Sequence, residues 1–204
     1  VLFRSHVKNT GRCRELLIPG ARVYVQRHRN PARKTALSLI AVEKDGRLVN
    51  IDSQAPNAVW QEALAGGLLL PGRPEAAALI RREAVFGDSR LDFYIEWPEV
   101  RGWMEVKGVT LEEQGVVRFP DAPTERGRKH LRELSRAARE GWYAAVVFVI
   151  QMEGVSYFTP HRQMDPAFAD ALEEAVRCGV AALAYDCTVE PDGLTIRNSV
   201  EVVL

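Results

Sequence analysis

The stretch that decides the fold is LDFYIEWPEVRGWMEVKGV, residues 91–109. Each half alternates apolar residues with polar or charged ones, and a proline lies between the halves. Alternation with a period of two is typical of a half-buried strand, so the stretch predicts an antiparallel hairpin. With the loop placed at residues 98–101, Trp97 pairs with Gly102, which sets the register of both strands.

This register gathers charged side chains on one face of the hairpin. Asp92 pairs with Lys107, and Glu105 is the diagonal neighbour of Asp92 on the same face. The other face is apolar and comprises Leu91, Phe93, Ile95, Met104 and Val106. A slip of one residue would separate the two carboxylates, and the apolar pattern favours the register that keeps them together.

Two carboxylates this close repel each other unless a cation lies between them. Mg²⁺ or Mn²⁺ suits such a site, because hard cations take oxygen ligands from one or two carboxylates, water and phosphate. Asp92 and Glu105 are therefore candidate metal ligands and catalytic residues, and Lys107 is a candidate to hold the attacking water or stabilise charge on phosphate. An ordinary cross-strand ion pair between Asp92 and Lys107, worth roughly 0.2–1 kcal/mol, is the alternative.

A basic helix is predicted after the hairpin, beginning at the N-cap Thr124 and ending near residue 140. Its narrow apolar seam is flanked by Arg126 and His130, one turn apart, with Lys129 beside them. Helix N-termini attract phosphate, so His130 is a candidate catalytic residue, and Arg126 and Lys129 are candidate nucleic-acid ligands. A solvated basic face is the alternative, with acidic partners at Glu125, Glu133 and Glu140.

The rest of residues 53–204 alternates helices with strands. Helices are predicted at 56–65 and 165–179, and strands at 78–86, 144–151 and 180–186, with a last hairpin at Asp192-Gly193 and a loop at 111–123. A strand, a helix and a buried strand in succession imply a parallel crossover. The prediction is a mixed α/β sheet, with an antiparallel hairpin on one side and βαβ units on the other.

Residues 1–52 read instead as a small all-β barrel. Short strands are predicted at 16–18, 21–26, 35–43 and 47–51, separated by the turn pairs Pro19-Gly20, Asn30-Pro31 and Asp45-Gly46. Residues 1–35 hold nine Lys or Arg and one acid, so this segment has a net charge of +8. The whole chain has a net charge of zero, so the remaining residues carry −8. This excess predicts a polyanion contact through Lys8, Arg12, Arg22, Arg27 and Arg29, with a solvated arginine-rich surface as the alternative.

Composition places the chain among globular proteins. Hydrophobic residues make up 47% and charged residues 26% of 204, and the longest apolar run, residues 143–150, is too short to span a bilayer. The three cysteines are widely spaced and match no metal-ligand pattern, so we expect reduced thiols in a cytoplasmic protein without a membrane segment. The chain begins without Met, so we expect its N-terminus to be incomplete.

Five blocks resemble the sugar fermentation stimulation protein family of prokaryotes. They are HVKNTGRCRELLIPGARVYV at 6–25, NIDSQAPNAVWQEAL at 50–64, SRLDFYI at 89–95, MEVKGVTL at 104–111 and FPDAPTERGRKHLREL at 119–134. The resemblance implies an N-terminal OB-like barrel at 1–52, truncated of its first strands, and a PD-(D/E)XK domain at 53–204 with the restriction-endonuclease-like fold. Asp92 matches the acid of that fold and Glu105-Val106-Lys107 its E-x-K strand, although Leu91 stands where many such nucleases have proline.

The family also implies DNA binding without strong sequence preference and a link to sugar metabolism. OB barrels bind nucleic acid through a basic groove and stacking aromatics, but here the aromatics are few, chiefly Phe3 and Tyr24, so binding should be mainly electrostatic and sensitive to salt. Two functions stay open: a DNA-binding nuclease dependent on Mg²⁺, and a non-catalytic DNA-binding regulator of sugar (maltose) metabolism on a nuclease scaffold. An RNA-processing enzyme is a third reading, and a homodimer is left open.

Overall fold

The computed structural model describes residues 4–9, 11–30 and 32–204. Three residues named in the predictions lie outside the described residues. They are Phe3, a predicted stacking aromatic, Thr10, part of a family block, and Pro31, part of a predicted turn. The N-terminal sheet has four strands: β1 (Ser5–Val7), β2 (Val23–Arg27), β3 (Leu37–Lys44) and β4 (Arg47–Asn50). Strand β3 pairs with β2 along one edge and with β1 and β4 along the other.

The N-terminal predictions are mostly, not wholly, correct. Residues Asp45 and Gly46 both have positive φ, 52° and 74°, and form the predicted tight hairpin turn between β3 and β4. The predicted strand at 16–18 is wrong, because the chain there turns, with the Leu16 and Leu17 N–H groups donating to the Cys13 carbonyl. Leu16 is buried as a core residue of this turn, so its apolar character reflects burial rather than strand alternation.

Residues 53–204 form a nine-stranded mixed sheet with three helices. The strands are β5 (Leu79–Phe86), β6 (Ser89–Glu96), β7 (Arg101–Val109), β8 (Leu111–Glu113), β9 (Val116–Phe119), β10 (Tyr143–Ile150), β11 (Tyr157–Pro160), β12 (Ala181–Glu190) and β13 (Gly193–Val202). The helices are α1 (Ala55–Ala65), α2 (Glu125–Arg139) and α3 (Pro166–Arg177). The strand order is β5-β6-β7-β10-β12-β13-β11-β9-β8.

The predicted parallel crossovers are present in the centre of this sheet. Strand β10 pairs in parallel with β7 and with β12, and α2 and α3 connect these strands. The predicted loop at 111–123 is partly wrong, since it contains the β8–β9 hairpin, whose turn residues Gln114 and Gly115 both have positive φ. Strand β11 was also not predicted. No helix in the described ranges is long and apolar enough to cross a membrane.

Strand β10 is buried on both faces, which explains its unbroken apolar sequence. Val146 and Phe148 belong to the core on the side of α2 and α3, whereas Val147 and Val149 belong to the core on the side of α1. The first core continues into the N-terminal sheet through Leu39, Val42 and Val49. One hydrophobic core therefore spans both sheets.

The N-termini of α2 and α3 meet at one buried carboxylate, Asp165. Its oxygens accept from the main-chain N–H of Phe168, which caps α3, and from the N–H of Thr124, the N-cap of α2. Arg128 Nη1 also donates to Asp165, at 3.0 Å. Burial would raise the pKa of Asp165, but these donors hold that pKa below its ordinary value.

We expect Asp165→Ala to lower the free energy of unfolding by about 3 kcal/mol, because one cap is lost and a half-buried guanidinium loses its partner. Since the folded pKa is lower than the unfolded one, this contribution is present above pH ~4 and is lost as the pH falls through the folded pKa. Urea unfolding at pH 7 and at acid pH measures it. Asp170→Ala, which removes an exposed ion pair to Arg162, is the control and should cost at most about 1 kcal/mol. Equal losses would contradict the assignment.

Candidate metal and nucleic-acid site

The β6–β7 hairpin has a shorter turn than the predicted loop at residues 98–101. The Trp97 N–H donates to the Val100 carbonyl at 2.8 Å, and Tyr94 pairs with Trp103. The predicted register is therefore wrong by two residues, because the loop spans two residues rather than the four at 98–101. A shift of two preserves the alternation of faces, so most of the face assignment is unaffected.

The alternation breaks at Asp92, where β6 leaves β7. The β6–β7 pairing ends at Phe93 and Met104, and beyond it the Val106 N–H donates to Asp92 Oδ2 at 2.8 Å. A side-chain carboxylate thus takes the place of a main-chain acceptor. Leu91 consequently packs in the core on the α2 side and not with Phe93, which corrects its predicted face.

The second oxygen of Asp92 is held by helix α1. Asn57 Nδ2 donates to Asp92 Oδ1 at 2.9 Å. The sequence gives no signal for Asn57, because its spacing of 35 residues from Asp92 follows no period of a helix or strand. Burial, followed by repulsion from Glu105, raises the pKa of Asp92 above its ordinary value, against the opposing effects of the Val106 N–H, Lys107 and Asn57.

Glu105 lies on the central strand β7 and is only 3% exposed. Its Oε1 accepts from Lys107 Nζ at 2.5 Å and from Nδ1 of His130, which reaches it from α2. Burial alone would raise the pKa of Glu105, but the hydrogen bond from His130 and the charge of Lys107 outweigh burial and lower it. Its other oxygen, Oε2, is buried and accepts no hydrogen bond from the described residues.

These residues fit a divalent cation held largely by carboxylates. Within residues 4–9, 11–30 and 32–204, no three His, Cys, Asp or Glu side chains converge as a metal cluster. A cation at this position would take Asp92 and Glu105 as its side-chain donors, and two carboxylates are a number that Mg²⁺ commonly takes alongside water and phosphate. A cation would satisfy the orphaned Glu105 Oε2 and relieve the repulsion that raises the pKa of Asp92.

The basic residues of α2 divide between the site and its surroundings. Arg126 is exposed, and its Nε lies 3.5 Å from His130 Nε2. Because the Glu105 carboxylate is an acceptor, Nδ1 of His130 is the nitrogen that donates to it, and Nε2 faces Arg126. Lys129 Nζ instead donates to the Asp88 carbonyl at 2.9 Å, at the β5–β6 turn.

The candidate nucleic-acid residues of the N-terminal sheet differ in availability. Lys8 is paired with Asp52 at 2.7 Å and is mostly buried. Arg22 is paired with Glu43 at 3.2 Å but is largely exposed. The remaining three residues are exposed: Arg12, Arg27 and Arg29. Arg27 and Arg29 lie at the end of β2 and just after it, and they provide the basic surface of this sheet.

Comparisons with known proteins assign the chain to a family. The model described as "Sugar fermentation stimulation protein RE domain" matches residues 54–193, and that described as "SfsA N-terminal OB domain" matches residues 1–51. This chain belongs to the sugar fermentation stimulation protein family. The fold-class prediction, a mixed α/β sheet after an N-terminal OB domain, is confirmed.

Relatives match over almost the whole chain. A "Sugar fermentation stimulation protein homolog" of Clostridium beijerinckii is 50% identical over 199 residues, covering 98% of this chain and 86% of the relative. One from Desulfitobacterium hafniense strain DSM 10664 / DCB-2 is 51% identical, covering 98% and 85%. Among solved structures, Pyrococcus furiosus SfsA in complex with Ca²⁺ matches with a TM-score of 0.89 at 32% identity, covering 99% of this chain and 86% of that one.

The two carboxylates of the site should affect stability with opposite sign. Because the folded pKa of Asp92 is raised, its ionisation lowers stability as the pH rises, and we expect Asp92→Asn to leave the free energy of unfolding at pH 7 unchanged or higher. Because the folded pKa of Glu105 is lowered, Glu105→Gln should lower that free energy by about 2 kcal/mol. Urea unfolding at pH 7 with a chelator present measures both, and losses of equal size would contradict this electrostatic account.

Proposed function

We propose that this chain is a DNA-binding protein whose sugar fermentation stimulation domain hydrolyses phosphodiester bonds with Mg²⁺ or Mn²⁺. The observation that carries the proposal is the proximity of Asp92 and Glu105, which repel each other where β6 leaves β7. Lys107 lies beside them, and Glu105 Oε2 accepts no hydrogen bond from the part of the chain that the structure describes. The Ca²⁺ complex of the Pyrococcus furiosus relative supports a divalent-cation site in this fold.

Each residue of the site has a separate task in this proposal. A divalent ion held by Asp92 and Glu105 would lower the pKa of bound water and offset charge on the phosphate. Lys107 is 15% exposed, so its ammonium can reach both Glu105 and a phosphate or water in the opening. His130 is buried against Glu105 and acts as a positioning residue, and the exposed Arg126 binds the flanking phosphate.

The N-terminal sheet supplies the affinity for DNA in this proposal. Arg27 and Arg29 are exposed at one end of β2, within the segment that carries the +8 excess. Contacts from arginine to phosphate release counterions, so binding should weaken steeply with salt and show little dependence on sequence. Binding through this surface would deliver the strand to the carboxylates of the adjoining domain.

The proposal predicts that Glu105→Gln and Lys107→Met each reduce cleavage of DNA in the presence of Mg²⁺ by at least about a hundredfold. The first removes a metal-binding charge and the second a cation at the reacting phosphate. Conversion of supercoiled plasmid and of labelled oligonucleotides measures the rate. Glu99→Gln, an exposed carboxylate in the hairpin turn, should cleave like the parent chain. Cleavage that survives both site substitutions would contradict the assignment.

A second candidate is a DNA-binding regulator of sugar metabolism that cleaves nothing. The 2.5 Å contact between Lys107 and Glu105 favours this candidate, because an ion pair that neutralises a buried carboxylate explains the lysine without any role in catalysis. Gel shifts without cleavage under Mg²⁺ and Mn²⁺ would favour this candidate. Competition between DNA and RNA of one sequence separates both from an RNA-processing enzyme.

Metal binding can be tested apart from cleavage. We expect Ca²⁺ at about 100 times its Kd to raise the free energy of unfolding by about 2.7 kcal/mol, because the ion binds only the folded site. Thermal unfolding with and without Ca²⁺ measures the shift, and Asp92→Asn should abolish most of it. Asp88→Asn, an exposed acid in the β5–β6 turn, is the control. Equal Ca²⁺ stabilisation of both variants would place the ion elsewhere.

A further inference from the structure

A cavity of about 230 Å³ opens beside the candidate site, between the two domains. It lies at the carboxyl ends of the parallel strands β7 and β10, where ligands bind in open α/β sheets. Its polar lining comes from both domains and includes Asn9, Ser53, Lys107, Arg118, Asp121 and Gln151. Lys107 is common to the cavity and to the carboxylate site, so a ligand can occupy both.

The wall of the cavity is fixed by Gln151, which is 1% exposed at the end of β10. Its Nε2 donates to Asn50 Oδ1 at 2.8 Å and to the Asp52 carbonyl at 3.1 Å. Its Oε1 lies against Gly108, where an added Cβ would come within 2.6 Å of it. Gln151 and Gly108 both line the cavity, so the amide oxygen lies at its wall while the amide nitrogen is held by the N-terminal domain.

The chemistry of the lining matches a nucleotide. Lys107 and Arg118 provide positive charge for a phosphate, and Arg118 is held by Glu113 at 2.9 Å. Phe119 is an apolar residue of the lining, and Gln151 Oε1 can accept from the edge of a base. A base paired within a duplex has its edge occupied and its faces stacked, so only an unpaired base can enter a cavity of this kind.

We propose, on the basis of the proposed function, that this cavity takes one unpaired nucleotide of the strand bound at Asp92 and Glu105. The phosphate lies toward Lys107, and the base edge faces Gln151 Oε1. The substrate class is then single-stranded DNA, or an unpaired strand end, rather than intact duplex.

The first test measures binding to the whole chain by fluorescence anisotropy, with Ca²⁺ in place of Mg²⁺. The probes are a labelled single-stranded oligonucleotide and a duplex of the same sequence at one salt concentration. We expect the single strand to bind about tenfold more tightly. Equal affinity, or tighter binding of the duplex, would overturn the inference.

The second test fills the cavity from an exposed position. Ser53→Phe places a ring in the opening without replacing a core residue and should weaken single-strand binding about tenfold, with duplex binding unchanged. Ser199→Phe, exposed on β13 outside the cavity, is the matched control. Unchanged single-strand binding in a folded Ser53→Phe protein would overturn the inference. Should that variant not fold, Arg118→Ala replaces it with Arg177→Ala as control, and the same criterion applies.

The two proposals fail in different ways. A single-strand preference that Ser53→Phe removes, without cleavage under any divalent metal, would support the cavity and remove the nuclease proposal. Cleavage of single strand and duplex at one rate, unaffected by Ser53→Phe, would retain the nuclease proposal and overturn the cavity.

Discussion

The buried negative charge of Glu105 is the constraint on which the rest of the structure depends. A carboxylate this deeply buried costs several kcal/mol unless it is paired and hydrogen-bonded. Lys107 on the same strand and His130 on α2 supply that pairing. His130 reaches Glu105 from the side of α2 that also buries Leu131 and Leu134 in the core, so the polar contact and the apolar seam favour the same rotation of the helix.

Asp92 shows the opposite balance to Glu105, because its pKa is raised where that of Glu105 is lowered. Glu105 Oε1 is paired with Lys107 and His130, whereas Oε2 has no donor among the described residues. Asp92 is held where its charge is disfavoured. A sequence selected for stability alone would not retain two such carboxylates together. Local rules are broken most often at functional sites, where stability is exchanged for chemistry.

The sequence predicts those features that local periodicity encodes. The alternation in residues 91–109 is a local signal for strands, and Thr124 and Asp165 are local signals for helix starts, so these predictions agree with the structure. The hairpin register depends on the length of the turn. A proline marks the turn but does not determine whether the turn has two residues or four. Asn57 and Gln151 reach the site across the sheet and the domain boundary, and no period in a single sequence encodes such contacts.

The boundary between the two sheets is closed by buried polar contacts. Gln151 at the end of β10 binds Asn50 and Asp52 at the end of the N-terminal sheet, through hydrogen bonds that are buried. A shared core and buried hydrogen bonds oppose independent motion of the two sheets. The basic surface at Arg27 and the carboxylate at Glu105 therefore keep a fixed separation.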